Sequence, residues 1–147
     1  MRTLPALAAL VLIGGPAAAQ AAPSFSPQPS ITLPAELDRV LRDYERAWQA
    51  GDEVALVALF TADGFVPARQ GWLRGSEAIR SNYASSQGPL RLRAHAYATA
   101  DSVGYIVGAY AYGDSAGPPD GGKFVLALRR GAGGKWLIAA DLDQSTR

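Results

Sequence analysis

Residues 122–143 constrain the fold most, because two runs of strand-forming residues there are joined by a glycine-rich turn. The runs cover residues 123–130 and 135–143, and Gly-Ala-Gly-Gly separates them at 131–134. This arrangement is typical of a β-hairpin. Apolar residues stand on both faces of each strand, a pattern of strands covered on both sides. We therefore expect the hairpin at the centre of a sheet that the upstream chain covers.

Three helices are predicted upstream of the hairpin, at residues 34–50, 53–60 and 77–86. The first has an apolar face at helical spacing and charged residues on the opposite face. The apolar face consists of Leu37, Val40, Leu41, Tyr44, Ala47 and Trp48. The first helix is therefore expected to lie on the sheet.

Further strands complete a predicted α+β fold. Short strands are expected at residues 65–66 and 71–74, after a turn at 63–64. Residues 90–100 alternate strictly between apolar and polar side chains, as in an antiparallel strand with one solvated face, and residues 103–112 form the next strand. We predict a cone-shaped, curved antiparallel sheet of four long strands plus short strands, wrapped by three N-terminal helices.

The solvated face of that alternating strand is a candidate contact between two copies of the chain. His95 and Tyr97 lie there beside Arg91 and Arg93, which precede them on the same face. Aromatic and charged residues on an open sheet face suit a two-fold, self-complementary contact. We predict a homodimer that uses this face.

The N-terminus has the pattern of a secretory signal. Arg2 precedes an apolar run at residues 4–13, and small residues follow at 17–19. The apolar run is too short to anchor a protein by spanning a bilayer. We predict a signal peptide at residues 1–19 and an exported bacterial protein, periplasmic or secreted, without a membrane anchor after cleavage.

Cleavage is expected after Ala19, with Ala21 and Ala22 as alternatives. The following residues are rich in proline and serine, which indicates a flexible leader at residues 20–31. The remaining residues, 32–145, are long enough for one domain with its own core.

Composition excludes several classes of partner. The formal net charge of +1 becomes neutral when Arg2 leaves with the signal, and no basic run occurs, so nucleic acid has no electrostatic footprint to bind. The chain has no cysteine and one histidine, His95, so metal-ligand spacing is missing. Nothing in the sequence implies a cofactor or a metal.

Four short motifs occur in an order that resembles a known superfamily. They are Ala-Trp-Gln-Ala-Gly-Asp at 47–52, Ala-Leu-Phe at 58–60 followed by Ala-Asp-Gly at 62–64, Gly-Ser-Glu-Ala-Ile at 75–79 and Gly-Lys-Trp-Leu-Ile at 134–138. Together they resemble the nuclear transport factor 2-like superfamily, closest to its SnoaL-like branch with exported domains of unknown function. The resemblance implies a ketosteroid isomerase-like fold with a pocket in the mouth of the cone, but it implies no reaction.

Ketosteroid isomerase chemistry uses an Asp base with a Tyr and a protonated Asp as donors to the oxyanion. The resemblance places Tyr44 at the position of the family's Tyr. It places Ala68 at the base and Leu126 at the second Asp. Apolar side chains cannot transfer a proton, so isomerase chemistry of this type is not expected.

The resemblance also orients the hairpin toward the cavity. Leu126 and Leu128 on the first strand, and Ala139, Asp141 and Asp143 on the second, are expected to face it. Two carboxylates on one side of a strand can raise each other's pKa and serve as acid and base. The alternative is that the strand frays and both are solvated, which we favour for Asp143 but leave open for Asp141.

Five further side chains have two interpretations each. Tyr44 and Trp48 either bind a ligand or complete the core, because aromatic residues at helical spacing do both. Trp72 and Tyr83 have the same two interpretations. His95 either lies in a site or belongs to the surface of the sheet, which its arginine neighbours favour.

Three functions remain. The leading hypothesis is a domain that binds a small, largely apolar molecule in the cone. The alternative is an isomerase, cyclase or hydratase that uses Asp141 with Tyr44 as catalytic residues. The third is a non-catalytic dimerisation domain whose own aromatic residues fill the pocket; the volume of the cavity and the burial of Asp141 discriminate among them.

Overall fold

The computed structural model describes residues 28–113 and 120–145, so the predicted signal peptide at 1–19 lies outside the described residues. Three helices precede four long strands, which confirms the predicted α+β class. The helices are α1 (Ala35–Ala50), α2 (Glu53–Val57) and α3 (Ser76–Tyr83). The strands are β1 (Phe60–Ala68), β2 (Gly71–Arg74), β3 (Leu90–Ala100), β4 (Val103–Tyr112), β5 (Gly122–Arg130) and β6 (Trp136–Ser145).

The strands form one sheet in the order β2-β1-β6-β5-β4-β3, so the β5–β6 hairpin lies at its centre as predicted. Strands β3 to β6 form an antiparallel meander. The sheet is not wholly antiparallel, because β1 pairs with β6 in parallel. The turn predicted at residues 63–64 lies inside β1, where the register with β6 shifts between Phe60 and Phe65.

Helix α1 covers the concave face of the sheet and forms the core with it. Its apolar stripe is buried, with Leu37, Val40 and Leu41 each 1% exposed. Ile106 on β4 and Ile138 on β6 belong to the same cluster. The helical spacing of the stripe and the alternation of the strands thus meet in one apolar layer.

Two charged side chains fix α1 across the edge strand β3. Glu45 is 5% exposed and accepts a hydrogen bond of 2.6 Å from the backbone N–H of Leu92. Arg42 donates to the carbonyl oxygen of Leu92 at 2.8 Å and to Glu45 at 2.6 Å. Because these groups satisfy backbone atoms of an edge strand, they hold the helix and the strand in one relative position.

A bulge interrupts the alternation that the sequence predicts for β3. Ala94 pairs with Gly108 but Ala96 pairs with Val107, so His95 is an extra residue without a partner in the ladder. Beyond the bulge Tyr97 pairs with Ile106, which is completely buried on the concave side. Because of this extra residue, the side chains after it point to the face opposite to the one that strict alternation predicts. Tyr97 is therefore not on the face that carries Arg91 and Arg93, and the predicted dimer surface is not continuous.

The end of the predicted leader contacts this bulge. The backbone N–H of Ile31 donates to the carbonyl oxygen of Ala94 at 2.9 Å. The ring Nδ1 of His95 lies 2.9 Å from the carbonyl oxygen of Pro29. Residues 28–31 are therefore placed by hydrogen bonds to β3, although the sequence favours a flexible leader there.

The convex side of the β5–β6 hairpin carries exposed apolar side chains. Val125 on β5 and Leu142 on β6 are paired neighbours, with 40% and 42% of their surface exposed. The sequence predicts cover on both sides of this hairpin, and for the convex side that prediction is wrong within the described residues. No helix in the described part of the chain is long and apolar enough to cross a membrane.

Candidate functional site

A cavity of about 210 Å³ lies between the helices and the concave face of the sheet. Helices α1 and α3 form one wall, and strands β3 to β6 form the other. Six aromatic side chains line it, namely Tyr44, Trp48, Tyr83, Tyr110, Tyr112 and Phe124. Two carboxylates, Asp141 and Asp143, lie on its floor and rim.

Two glycines make room for the rings that the strands contribute. A Cβ atom at Gly108 would overlap the ring of Phe124, and one at Gly122 would overlap the ring of Tyr110. Gly108 pairs with Phe124, and Gly122 pairs with Tyr110. Each ring therefore lies flat across the glycine on the neighbouring strand, which a side chain there would prevent.

The rings contact one another in both stacked and edge-on arrangements. Tyr44 stacks on Trp48 at a centroid distance of 6.3 Å and an interplanar angle of 14°. Tyr83 meets Tyr44 edge-on at 87° and Trp48 at 74°. Tyr112 lies 6.1 Å from Trp48. The cavity is therefore bounded by ring faces and edges from several directions.

A hydrogen-bonded cluster of two tyrosines and one carboxyl group forms the polar part of the cavity. The hydroxyl groups of Tyr44 and Tyr83 lie 3.0 Å and 3.2 Å from Oδ2 of Asp141, and 3.2 Å from each other. Each hydroxyl group has one proton, so the two tyrosines can donate only two of these three hydrogen bonds. A proton on Asp141 supplies the third, so the geometry suits a neutral carboxyl group.

Burial is the main cause of an elevated pKa at Asp141. It raises the pKa from 3.8 to about 7, and the nearby charge of Asp143 adds to the rise. Hydrogen bonds from Tyr44 and Tyr83 oppose it. Burial, followed by the charge of Asp141, raises the pKa of both tyrosines, so they remain protonated donors at neutral pH.

A second bulge places Asp141 in the cavity. Leu128 pairs with Ile138 and Ala127 pairs with Ala140, so Ala139 is an extra residue in β6. Ile138 and Asp141 consequently face the same side although they are three residues apart. The prediction that Ala139 faces the cavity is wrong for this reason, and Ile138 takes the inward place in the core.

The structure brings five of the predicted site residues to the same cavity. They are Tyr44, Trp48, Tyr83, Leu126 and Asp141. Three elements distant in sequence contribute them, since α1, α3 and the β5–β6 hairpin converge here. The burial of Asp141, at 6% exposure, decides between the two interpretations of this residue: it is not solvated.

Besides Ala139, two predicted ligand-binding residues lie outside the cavity. Trp72 is 58% exposed and packs edge-on against Phe65, with Leu142 beside them on the convex face. The register of β1 and β2 pairs it with Pro67 and so puts it on the same side of the two strands as Phe65. Leu128 is 2% exposed within the core cluster and does not line the cavity.

Sequence reasoning missed three aromatic residues of the cavity, Tyr110, Tyr112 and Phe124. Alternation gives a signal for them, because Phe124 lies two residues before Leu126 and therefore on its face. Tyr110 and Tyr112 are also two residues apart on β4, so they lie on one face of that strand. Asp143, for which a solvated position was favoured, is exposed and lies at the mouth of the cavity.

The positions carried over from ketosteroid isomerase provide no carboxylate. Ala68 ends β1 and does not line the cavity, while Leu126 lines it with an apolar side chain. His95 is at the β3 bulge, outside the cavity. Within residues 28–113 and 120–145, no group of three His, Cys, Asp or Glu side chains could hold a metal ion.

Comparison with solved structures identifies the fold. An NTF-2 like protein of unknown function from Shewanella oneidensis superposes with a TM-score of 0.61 at 18% identity, over 74% of this chain and 95% of its own. A ketosteroid isomerase-like protein from Erwinia carotovora atroseptica gives 0.60 at 15%, over 77% and 95%. A protein of unknown function from Mycobacterium tuberculosis gives 0.64 at 19%, over 76% and 75%.

Sequence comparison adds nothing to this, since no family model and no curated protein matches the chain. The three solved structures nevertheless superpose on about three quarters of the chain, including one named NTF-2 like and one named ketosteroid isomerase-like. The chain therefore has the nuclear transport factor 2-like fold, as its motifs predict. At these identities the likeness establishes the fold alone, since unrelated functions share it.

Proposed function

We propose that the protein binds a small organic molecule, largely apolar but with polar groups, in the cavity between α1, α3 and the sheet. The observation that carries this proposal is an aromatic cavity of about 210 Å³ around the buried cluster of Tyr44, Tyr83 and Asp141. Concave aromatic surfaces with a few convergent polar groups are the usual form of small-molecule sites. A domain that only dimerises has no need of such a space.

The indole of Trp48 supports the same proposal. Its N–H is buried and has no hydrogen-bond partner among the described residues. A buried donor without a partner costs about 1–3 kcal/mol. An acceptor atom on a bound molecule would remove that cost, so the ligand is expected to combine an apolar body with polar atoms.

Native mass spectrometry of the protein, purified from the organism that makes it, tests the proposal. We expect an adduct of a small organic molecule that dissociates on collisional activation. A second measurement uses indole, a neutral aromatic probe, and records the shift of the melting temperature with its concentration. Absence of an adduct together with no stabilisation by indole would contradict ligand binding.

A pair of variants locates the binding. Asn82 lines the mouth of the cavity on α3, while its neighbour Ser81 is exposed and does not line it. Asn82→Trp is expected to narrow the mouth and to abolish the response to indole, and Ser81→Trp to leave that response unchanged. Equal responses in both variants would place the indole site elsewhere.

Export is part of the proposed function. The signal pattern at residues 1–19 supports it, with a proposed periplasmic or secreted location. The intact mass of the exported protein is expected to match a chain that begins at Gln20, Ala22 or Pro23. Recovery of the full-length chain from the cytoplasm of its native host would contradict export.

A second candidate function is proton-transfer catalysis of the isomerase, cyclase or hydratase type. The specific observation in its favour is that the pKa of Asp141 is raised to about 7, where a carboxyl group serves as acid and base at neutral pH. Tyr44 beside it can polarise a carbonyl group. One structural neighbour is named ketosteroid isomerase-like, a name that suggests chemistry next to a carbonyl group.

Deuterium exchange tests the catalytic candidate without a known substrate. Cyclohexanone in D₂O exchanges its α-protons, and NMR spectroscopy follows the loss of their signal. An enzyme of this type accelerates the exchange, and Asp141→Asn abolishes the acceleration. If the full chain does not exceed buffer while indole still binds, the cavity is a binding site only.

A further inference from the structure

The charges around the cavity are all of one sign. Asp141 and Asp143 line it, and no Arg, Lys or His is among the described residues that do. An anionic ligand would meet these two carboxylates without a cationic partner, and repulsion in a buried site is strong. The electrostatic environment therefore favours a positive group in the ligand.

The aromatic walls have the geometry that stabilises such a group. Ring faces carry negative electrostatic potential and attract a cation within about 6 Å. Trp48 and Tyr83 meet at 74°, and Tyr110 and Tyr112 meet at 69°. Rings at steep angles to one another can turn their faces toward one central group from several sides, as in the aromatic cages that hold quaternary ammonium ions.

The buried carboxyl group of Asp141 lacks the partner that usually accompanies a buried charge. Its hydrogen-bond partners are two neutral hydroxyl groups, and the ion pairs of the described residues do not include it. When Asp141 is ionised, a neutral ligand offers no charge to compensate it or the neighbouring Asp143. A cationic ligand would compensate both.

We infer that the cavity recognises an organic cation, an amine or quaternary ammonium group carried on a small apolar body. The inference rests on the proposed ligand binding and specifies the chemical class of that ligand. The carboxylates attract the positive group, Tyr112 and Trp48 present ring faces to its alkyl substituents, and Leu126 and Leu92 contact the apolar body.

The test compares two probes of the same shape. Choline and 3,3-dimethylbutan-1-ol differ only in the replacement of the charged nitrogen by carbon. With the full chain at pH 8, we expect choline to bind about tenfold more tightly, the size of effect that cation–π contacts and one buried charge produce. Ligand-observed NMR titration measures both dissociation constants.

Two variants test separately how much the charge of Asp141 and how much the aromatic rings contribute to choline binding. Asp141→Asn is expected to remove most of the tenfold preference for choline, while Asp101→Asn, which removes the same charge at the exposed β3–β4 turn, keeps it. Tyr112→Leu is expected to weaken choline about fivefold and the alcohol less than about twofold. Tyr105→Leu, on the convex face, is the matched control for the ring.

The outcomes distinguish a failure of cation recognition from a failure of ligand binding itself. Equal binding of both probes, with Asn82→Trp blocking both, would overturn cation recognition and leave ligand binding intact. Binding of the alcohol or of indole without binding of choline would do the same. If choline, the alcohol and indole all fail to bind and native mass spectrometry shows no adduct, the inference and the proposed function are both wrong.

Discussion

The two faces of the sheet differ although the same strands form them. On β5, Leu126 faces the concave side and is 2% exposed, while its neighbour Val125 faces the convex side and is 40% exposed. Both side chains are apolar, yet among the described residues only the concave side has helices, a cavity lined by six aromatic rings and a buried carboxyl group. Apolar composition therefore does not determine which face becomes a site; the packing of α1 and α3 does.

The largest expected effect is on stability and tests this difference directly. Leu126→Ala is expected to lower the free energy of unfolding by up to about 5 kcal/mol, because the cavity it leaves cannot collapse fully. Val125→Ala is expected to lower it by less than about 1 kcal/mol. Urea denaturation measures both.

Equal losses for the two variants would contradict the comparison. A loss in Val125→Ala that depends on protein concentration would show that a second copy covers the convex face. Light scattering at micromolar concentration then gives the mass of the protein in solution and shows whether it is a dimer. The homodimer inferred from the sequence stays a prediction, and this experiment would show whether its contact uses the convex face.

The next effect concerns the buried carboxyl group. Asp141 has a pKa of about 7 in the folded chain against a reference value of 3.8, so the folded state holds its proton more tightly. Stability therefore falls as the pH rises from about 4 to about 7, by up to roughly 4 kcal/mol. Tyr44 from α1, Tyr83 from α3 and Asp143 on β6 face this group.

Asp141→Asn removes the ionisation and keeps the shape of the side chain. The variant is expected to be more stable than the original chain at pH 8 and to lose that advantage toward pH 4. Thermal unfolding at both values measures it. The control Asp101→Asn on an exposed turn is expected to show no such trend, and a constant difference for Asp141→Asn would argue that this group is not buried.

A smaller effect is expected from the hydroxyl groups of the cluster. Tyr44→Phe and Tyr83→Phe each remove one hydrogen bond to Asp141, worth about 1.5–3 kcal/mol when the acceptor is charged. Because the ionised form loses a donor, the pKa of Asp141 is expected to rise further. Carboxyl carbon NMR titration measures it.

The control for these variants lies on the other face. Tyr105 is 42% exposed on the convex side, and Tyr105→Phe is expected to leave the pKa of Asp141 unchanged. A pKa that stays at about 7 in both cluster variants would mean that the hydroxyl groups do not stabilise the carboxylate.

No effect at all is expected in a ketosteroid isomerisation assay. Ala68 provides no base, and general-base catalysis is typically worth about 10²–10⁴-fold. Leu126 removes a donor worth about 3 kcal/mol in comparable sites. An absorbance assay with an unconjugated steroid measures the conjugated enone, and turnover that Asp141→Asn abolishes would make Asp141 the base.

Much of the fold can be predicted from local patterns in the sequence. The amphipathic spacing in α1 and the turn at residues 131–134 reflect short-range chemistry, so both elements were predictable. Tyr44 and Asp141 were predictable as site candidates because a superfamily resemblance orients the helix and the hairpin. Their convergence depends on the fold, which those motifs indicate.

The rest depends on single residues that leave no periodic signal. His95 and Ala139 are each one residue too many for their strands, and each exchanges the inward and outward faces of the residues after it. The Asp-Gly pair at residues 63–64 favours a turn locally, yet pairing with β6 holds it within β1. The exposed position of Trp72 results from the register of a short edge strand, which composition does not determine.

The extra residue at Ala139 also affects how this strand tolerates changes in length. Loss of one residue from a strand normally exchanges inward and outward side chains downstream. Loss of Ala139 would not, because it is the surplus residue: Ile138 and Asp141 would keep their faces in a regular ladder. Only the local bend would disappear. Related chains can therefore differ by one residue at this point and still present the same carboxyl group to the cavity.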